Sequence, residues 1–204
     1  MERPTTSCWT SSKRSKTSDG RPVKSGRRTL GVAVSGDTVA GAVVRVDRVV
    51  DGFAYATCEV GGRDATAVVE SLLAELARED LQYLLVAGIA PAWFNLLDLP
   101  RLAETFDGPV VAVSFEASPG LEPALREQFD GEALADRLAV YDRQPPRERV
   151  VVDDETVWVR AAGCEPATAR ELVQATTPDG SGRPEPLRVA RLAARARRRD
   201  RESE

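Results

Sequence analysis

The sequence predicts an α/β fold: a three-strand antiparallel meander followed by parallel strands that arrive through helical crossovers. Two observations carry this. Apolar runs with strand-like patterning crowd residues 28–60 and leave no room for a helix between the first two. From Asp64 onward, short apolar runs alternate with helical stripes, the order that builds parallel sheets. With 204 residues and 42% hydrophobic content, the chain is large enough for one domain with a real core.

Residues 29–35 are the first strand and 38–46 the second, joined by the tight-turn pair Gly36-Asp37. Residues 53–60 are the third: Phe53, Tyr55 and Thr57 alternate against Ala54, Ala56 and Cys58, and Asp51-Gly52 before them is a turn or a bulge. Gly61-Gly62 ends the meander. Asp64 is a good N-cap for a helix to about Arg78, whose stripe is Val68, Val69, Leu72, Leu73 and Leu76. A buried strand follows at 81–87, a helix at about 96–105, and a second buried strand at 109–115. Ser118-Pro119 starts a helix with proline at its first position, and 131–141 is a further helical segment. The Pro145-Pro146 linker leads to a short strand, 156–162. Residues 166–175 are helical, 177–184 a Pro/Gly loop, and Pro186 opens an arginine-rich helix. Three strands, helix, strand, helix, strand, helices is the element order of a ribonuclease H-like fold. A flavodoxin-like order needs a helix where Gly36-Asp37 stands.

Composition narrows the chemistry. The chain has no histidine, which removes histidine bases, Ser-His-Asp and Cys-His nucleophile systems and histidine metal sites. Cys8, Cys58 and Cys164 are widely spaced, which suggests neither a zinc site nor a disulfide framework. Chemistry must come from carboxylates, amides, hydroxyls and arginine, and the natural cofactor of such a set is oxygen-ligated Mg²⁺ or Mn²⁺. Gly61-Gly62 lacks a P-loop or dinucleotide fingerprint. Of the 28 basic residues only Lys13, Lys16 and Lys24 are lysine, and the net charge is −4. Such an acidic, lysine-poor body fits a salt-loving or high-GC host and argues against broad nonspecific nucleic-acid binding, though a local basic path can still bind. Residues 1–26, rich in Ser, Thr, Lys and Arg, are expected to be a disordered extension. Met1 is the only methionine, Val23 is a second candidate start, and native peptides from residues 1–22 would decide for Met1. The expected organisation is one domain over 27–198 and a charged tail over 199–204. Neither a membrane-spanning apolar run nor a secretory h-region is visible, so the expected location is cytoplasmic.

The stretch LQYLLVAGIAPAWFNLLDLP from Leu81 is the most informative. A strand end followed by a loop bearing Trp93, Phe94, Asn95 and Asp98 is where open α/β sheets place their sites. Each residue has two readings. Trp93 and Phe94 stack an extruded base, or they are core. Asn95 and Asp98 bind or catalyse, or they cap the next helix. Asp64 is a metal ligand or only an N-cap, and Glu70 a metal ligand or a solvated helix face. Arg188, Arg191, Arg195 and Arg198 form one basic stripe, which contacts phosphate or is simply a solvated, fraying helix.

Several segments together resemble the archaeal endonuclease-dU family, which is related to endonuclease V: LGVAVSGDTVAGAVVRVDRVVDG, VGGRDAT, LLVAGIAPAWFNLLDL, PVVAVSFE and PEPLRVARLAARA. They span about residues 29–196, and GIAPAWFNLLDL matches the family's Gly-Ile-x-x-x-x-Phe-Asn-x-x-Asp pattern. The resemblance implies a ribonuclease H-like core and cleavage of DNA beside a deaminated base with divalent metal. It also places acidic residues on the first strand near Ala33-Val34 and just before Gly88, where this chain has Ala87. Asp37 lies about 10 Å from the expected first-strand position, beyond side-chain reach. Two expectations follow. In the first, Asp98, Asn95 and Asp64 act on DNA, with Mg²⁺ or Mn²⁺ on Asp64, Asp98 and Glu70, and with Trp93, Phe94, Arg188 and Arg191 on the substrate. In the second, the fold survives as a non-catalytic nucleic-acid or protein-binding module.

Overall fold

The computed structural model describes residues 27–203. The predicted extension over 1–26, with Cys8 and Val23, lies outside them. Seven strands form one sheet in the order β3-β2-β1-β4-β5-β7-β6. Strands β1 (Arg28–Ser35), β2 (Thr38–Arg45) and β3 (Val50–Thr57) are the antiparallel meander. Helix α1 (Ala65–Leu76) crosses to β4 (Leu81–Ala87), which runs parallel to β1. A single turn, α2 (Pro91–Phe94), and helix α3 (Leu99–Phe106) lead to β5 (Val110–Ser114), parallel to β4. Helices α4 (Glu122–Gln128) and α5 (Gly131–Asp142) precede the hairpin β6 (Glu148–Val152) and β7 (Glu155–Ala162). Helices α6 (Pro166–Thr176) and α7 (Glu185–Ser203) close the chain.

Four expectations are corrected. The third strand begins at Val50 rather than Phe53, because Asp51 is a bulge: Val43 pairs with Gly52 and Val44 with Val50. It ends at Thr57, and Cys58 is buried just beyond it. Ser118-Pro119 does not start a helix; the Ser118 hydroxyl accepts from the Gly120 N–H, and α4 begins at Glu122. The hairpin partner β6 occupies part of the expected linker, and β7 pairs antiparallel to β5 instead of joining the parallel set. The residues from 199 to 203 continue α7, where Arg201 holds the Asp37 carboxylate at 3.0 Å.

Alternation along the strands divides the core between two faces. Leu30, Val32, Leu84 and Val86 pack with Leu72, Leu99 and Leu102 on one face. Tyr83, Leu85, Val111 and Val113 pack with Leu172, Val173 and Leu187 on the other. Helix α7 lies along β1 on the second face, because Gly31 has no side chain to stop it: a Cβ there would stand 2.2 Å from the Pro186 carbonyl oxygen. Ala33, Ala42 and Ala190 fill the narrow space beneath the helix. The strand directions put the carboxyl ends of β1, β3, β4 and β5 at one end of the sheet. That is where open α/β sheets carry their sites.

Candidate nucleic-acid interface

The floor of this strand-end region is apolar. Ala33 is 3% exposed, and Val34 and Ala87 are half-buried. On the α7 side, Ala87 opens into a groove of about 290 Å³ lined by Phe115, Arg183, Arg188, Arg191 and Arg195. The Arg183 guanidinium lies over the Phe115 ring at 4.1 Å. Arg188 is taken by Glu185 in a two-pronged pair at 2.6 and 2.7 Å. Among the described residues, Arg183, Arg191 and Arg195 have no carboxylate partner. Burial, and then the neighbouring Arg195 and Arg183, hold the Arg191 pKa below the usual guanidinium value, though an arginine stays charged at any physiological pH. Three convergent cations without counter-charge make an anion-attracting groove.

On the other side stands the loop after β4. Ala92, Trp93 and Phe94 have φ of 44°, 56° and 62°, three successive non-glycine residues in the left-handed region. Each costs about 1–2 kcal/mol, so the turn persists only because its surroundings hold it. The Asn95 N–H donates to the Pro91 carbonyl, the Leu97 N–H to Ile89, and the Gly61 N–H to Ala92. Arg137, buried in α5, donates to the carbonyls of Phe94, Gly61 and Gly62 and lies 3.9 Å over the Phe129 ring. Phe94 is packed edge-on against Trp93 and Phe129 at 5.9 and 5.8 Å. Trp93 packs one edge on Gly61, where a Cβ would come within 2.6 Å, yet remains 54% exposed. Of the two aromatics, Phe94 is support and Trp93 is presented.

The candidate carboxylates lie on the loop's side with α1 and α3, and each is engaged. Asn95 is fully buried. Its Oδ1 accepts from the Ala65 N–H at 2.9 Å, and its amide donates to Glu59 O at 2.8 Å and Asp64 Oδ1 at 2.5 Å. Asp64 therefore sits at the N-cap of α1 without capping it; its carboxylate accepts from the Glu59 N–H, and Asn95 supplies the cap from across the loop. Asp98, 7% exposed, caps α3 through the Arg101 N–H at 3.3 Å and takes Arg143 at 2.7 Å. Glu70 takes Arg101 in a two-pronged pair and the Thr105 hydroxyl at 3.0 Å. Those bonds, Arg101's foremost, hold its pKa below the usual carboxylate value.

A divalent metal, expected of an endonuclease V-like nuclease, does not fit this donor set. Where the resemblance places carboxylates, the strands carry Ala33, Val34 and Ala87, which have no side-chain donor atom. Asp37 is bound by Arg201 and Thr38. Asp64, Glu70 and Asp98 are not brought together: among the described residues, no three acidic, Cys or His side chains could share an ion. Arg137 and Arg143, which lock the loop and Asp98, carried no sequence signal that set them apart from other helix arginines. Arg183 and Phe115 were equally silent, since they meet Arg191 only through the fold.

The family model for endonuclease dU matches residues 28–198. The chain belongs to the endonuclease dU family. This makes it nuclease-related. A UPF0215 protein of Pyrobaculum aerophilum is 33% identical over 162 residues, covering 78% of this chain and 84% of that one. A UPF0215 protein of Thermococcus kodakarensis is 35% identical over 140 residues, covering 67% and 69%. Among solved structures, a protein of unknown function from Archaeoglobus fulgidus superimposes with TM-score 0.74 at 28% identity, covering 83% of this chain and 97% of that one. Human ENDOV superimposes with TM-score 0.64 at 14% identity, covering 92% of each chain. The shared architecture of this endonuclease dU member and ENDOV is the ribonuclease H-like fold. Ciona intestinalis endonuclease V, solved with a 24mer DNA containing an inosine, has TM-score 0.54 at 12% identity, covering 85% and 86%.

Proposed function

We propose that this endonuclease dU member binds nucleic acid through the arginine groove at the strand ends and does not draw on a metal ion there. What supports the reading is one juxtaposition. Arg183, Arg191 and Arg195 converge without carboxylate partners, and the floor beside them, Ala33 and Ala87, offers no metal ligand. Arginines placed this way neutralise backbone phosphates and release counterions, so binding weakens steeply with salt and needs no divalent cation. The test is anisotropy of labelled single strands and of duplexes carrying one deoxyuridine, in Mg²⁺, in Mn²⁺ and in EDTA, with gel analysis for nicking. The expected result is binding that is equal in all three and falls with salt, with the DNA intact. Metal-dependent nicking near the lesion would overturn it.

A second reading is favoured by family membership and by the exposed Trp93 beside the loop. In it Asp98, Asn95 and Asp64 act on DNA beside a deaminated base. A Mg²⁺ or Mn²⁺ ion on Asp64, Asp98 and Glu70 would require more than release of Asp98 by Arg143 and of Glu70 by Arg101, because the three carboxylates are not brought together among the described residues. Nicking that needs metal and is lost in a folded Asp98→Ala protein would establish it.

A further inference from the structure

We propose that the left-handed turn Ala92–Phe94 is a rigid stacking platform on which Trp93 receives a single unpaired base of the strand held by the arginine groove. This rests on the nucleic-acid reading above and adds the moiety recognised and the residue that recognises it. The first support is the contrast within the loop. Its backbone is held in a costly conformation by inward hydrogen bonds, the Gly61 N–H donating to the Ala92 carbonyl and Arg137 to the Phe94 carbonyl. Its largest side chain nevertheless points out, with Trp93 54% exposed while Asn95, two residues on, is fully buried. A turn built only to close the core would bury the indole. The second support is that the ring is braced. Phe129 lies 5.3 Å from Trp93, Phe94 packs edge-on, and Gly61 lets the indole edge settle against the backbone. An aromatic fixed before binding loses little entropy when a base stacks on it. The third support is position. Ala87 lines the arginine groove, and with Pro91 it also lines the small apolar slot under the α2 turn, so the platform and the groove are two sides of one strand-end surface. A phosphate track beside an aromatic platform is the combination that holds single strands, because every base has a π-face.

The experiment compares two probes of equal length and charge, a labelled oligothymidylate and its fully abasic analogue. Each is titrated into the full chain and into Trp93→Phe, Trp93→Ala and the double variant Arg191→Ala/Arg195→Ala. Thermal melting confirms that all are folded. The wild type is expected to bind the oligothymidylate about tenfold more tightly than the abasic strand. Trp93→Ala should erase that preference and leave abasic binding unchanged, Trp93→Phe should keep most of it, and the arginine variant should weaken both probes together. Equal binding of the two probes by the wild type, or an unchanged preference in Trp93→Ala, overturns the platform while leaving the groove reading standing. Binding of neither probe removes the groove reading and the platform with it.

Discussion

The two flanks of the strand-end surface handle charge in opposite ways. On the α1–α3 flank the three candidate carboxylates each have a partner: Asp64 has Asn95, Glu70 has Arg101 and Asp98 has Arg143. On the α7 flank Arg188 is paired with Glu185, but Arg183, Arg191 and Arg195 are left without counter-charge among the described residues. Compensated charge ties elements of the fold together. Uncompensated charge of one sign costs stability by self-repulsion and is useful only when an anion arrives. On the proposed reading the carboxylates belong to the architecture and the unpaired arginines to ligand binding, and substitutions on each side should separate the two.

The largest effect belongs to Asn95. Asn95→Ala removes three hydrogen bonds at a fully buried position and leaves the Ala65 N–H without its cap, for a loss of about 3 kcal/mol in urea unfolding. Asn95→Asp should be similarly damaging, because a carboxylate cannot donate to Glu59 O and would face Asp64. If either variant kept wild-type stability while losing nucleic-acid binding, the division between flanks would fail. Next comes the arginine flank. Arg191→Ala and Arg195→Ala should each lower the salt dependence of binding by about one unit of log–log slope. Stability should move by no more than about 0.5 kcal/mol, as for other surface changes. Asp98→Ala follows, with a loss of about 1 kcal/mol from the α3 cap, since Arg143 is more than half exposed and its pairing is screened.

Much of the fold was legible in the residues. Gly36-Asp37 forced a hairpin where another fold would need a helix, and the apolar run to Ala87 marked β4 to its last residue. What escaped was non-local. The strand Glu148–Val152 is five residues at an edge, and only its pairing with β7 makes it a strand. The site was half legible for the same reason. Trp93, Asn95 and Asp98 stood out because they are adjacent in sequence, whereas the groove needs Phe115 and Arg183 from distant loops. Asp64 shows the limit of local rules: it occupies the N-cap position the pattern predicts, yet Asn95, thirty-one residues away, does the capping.

The smallest effect tests whether the carboxylate flank is purely structural. Glu70 joins α1 to α3 through Arg101 and Thr105, and those bonds lower its pKa in the folded protein. A group whose folded pKa is depressed contributes stability that is fully present above its unfolded value of about 4.3 and is lost as pH falls through the lower folded value. Arg101 is 55% exposed, so solvent screening limits the pair to about 0.5 kcal/mol. Glu70→Gln should therefore be slightly less stable than the parent at pH 7 and indistinguishable from it near pH 3. Unfolding midpoints measured at both pH values, with and without 10 mM Mg²⁺, also bear on the metal question. If Glu70 is only a clamp, the ion changes neither midpoint. A Mg²⁺-dependent rise in the parent that Glu70→Gln lacks would mean that Arg101 yields its partner to a cation, and the carboxylate flank would then belong to the chemistry as well as to the fold.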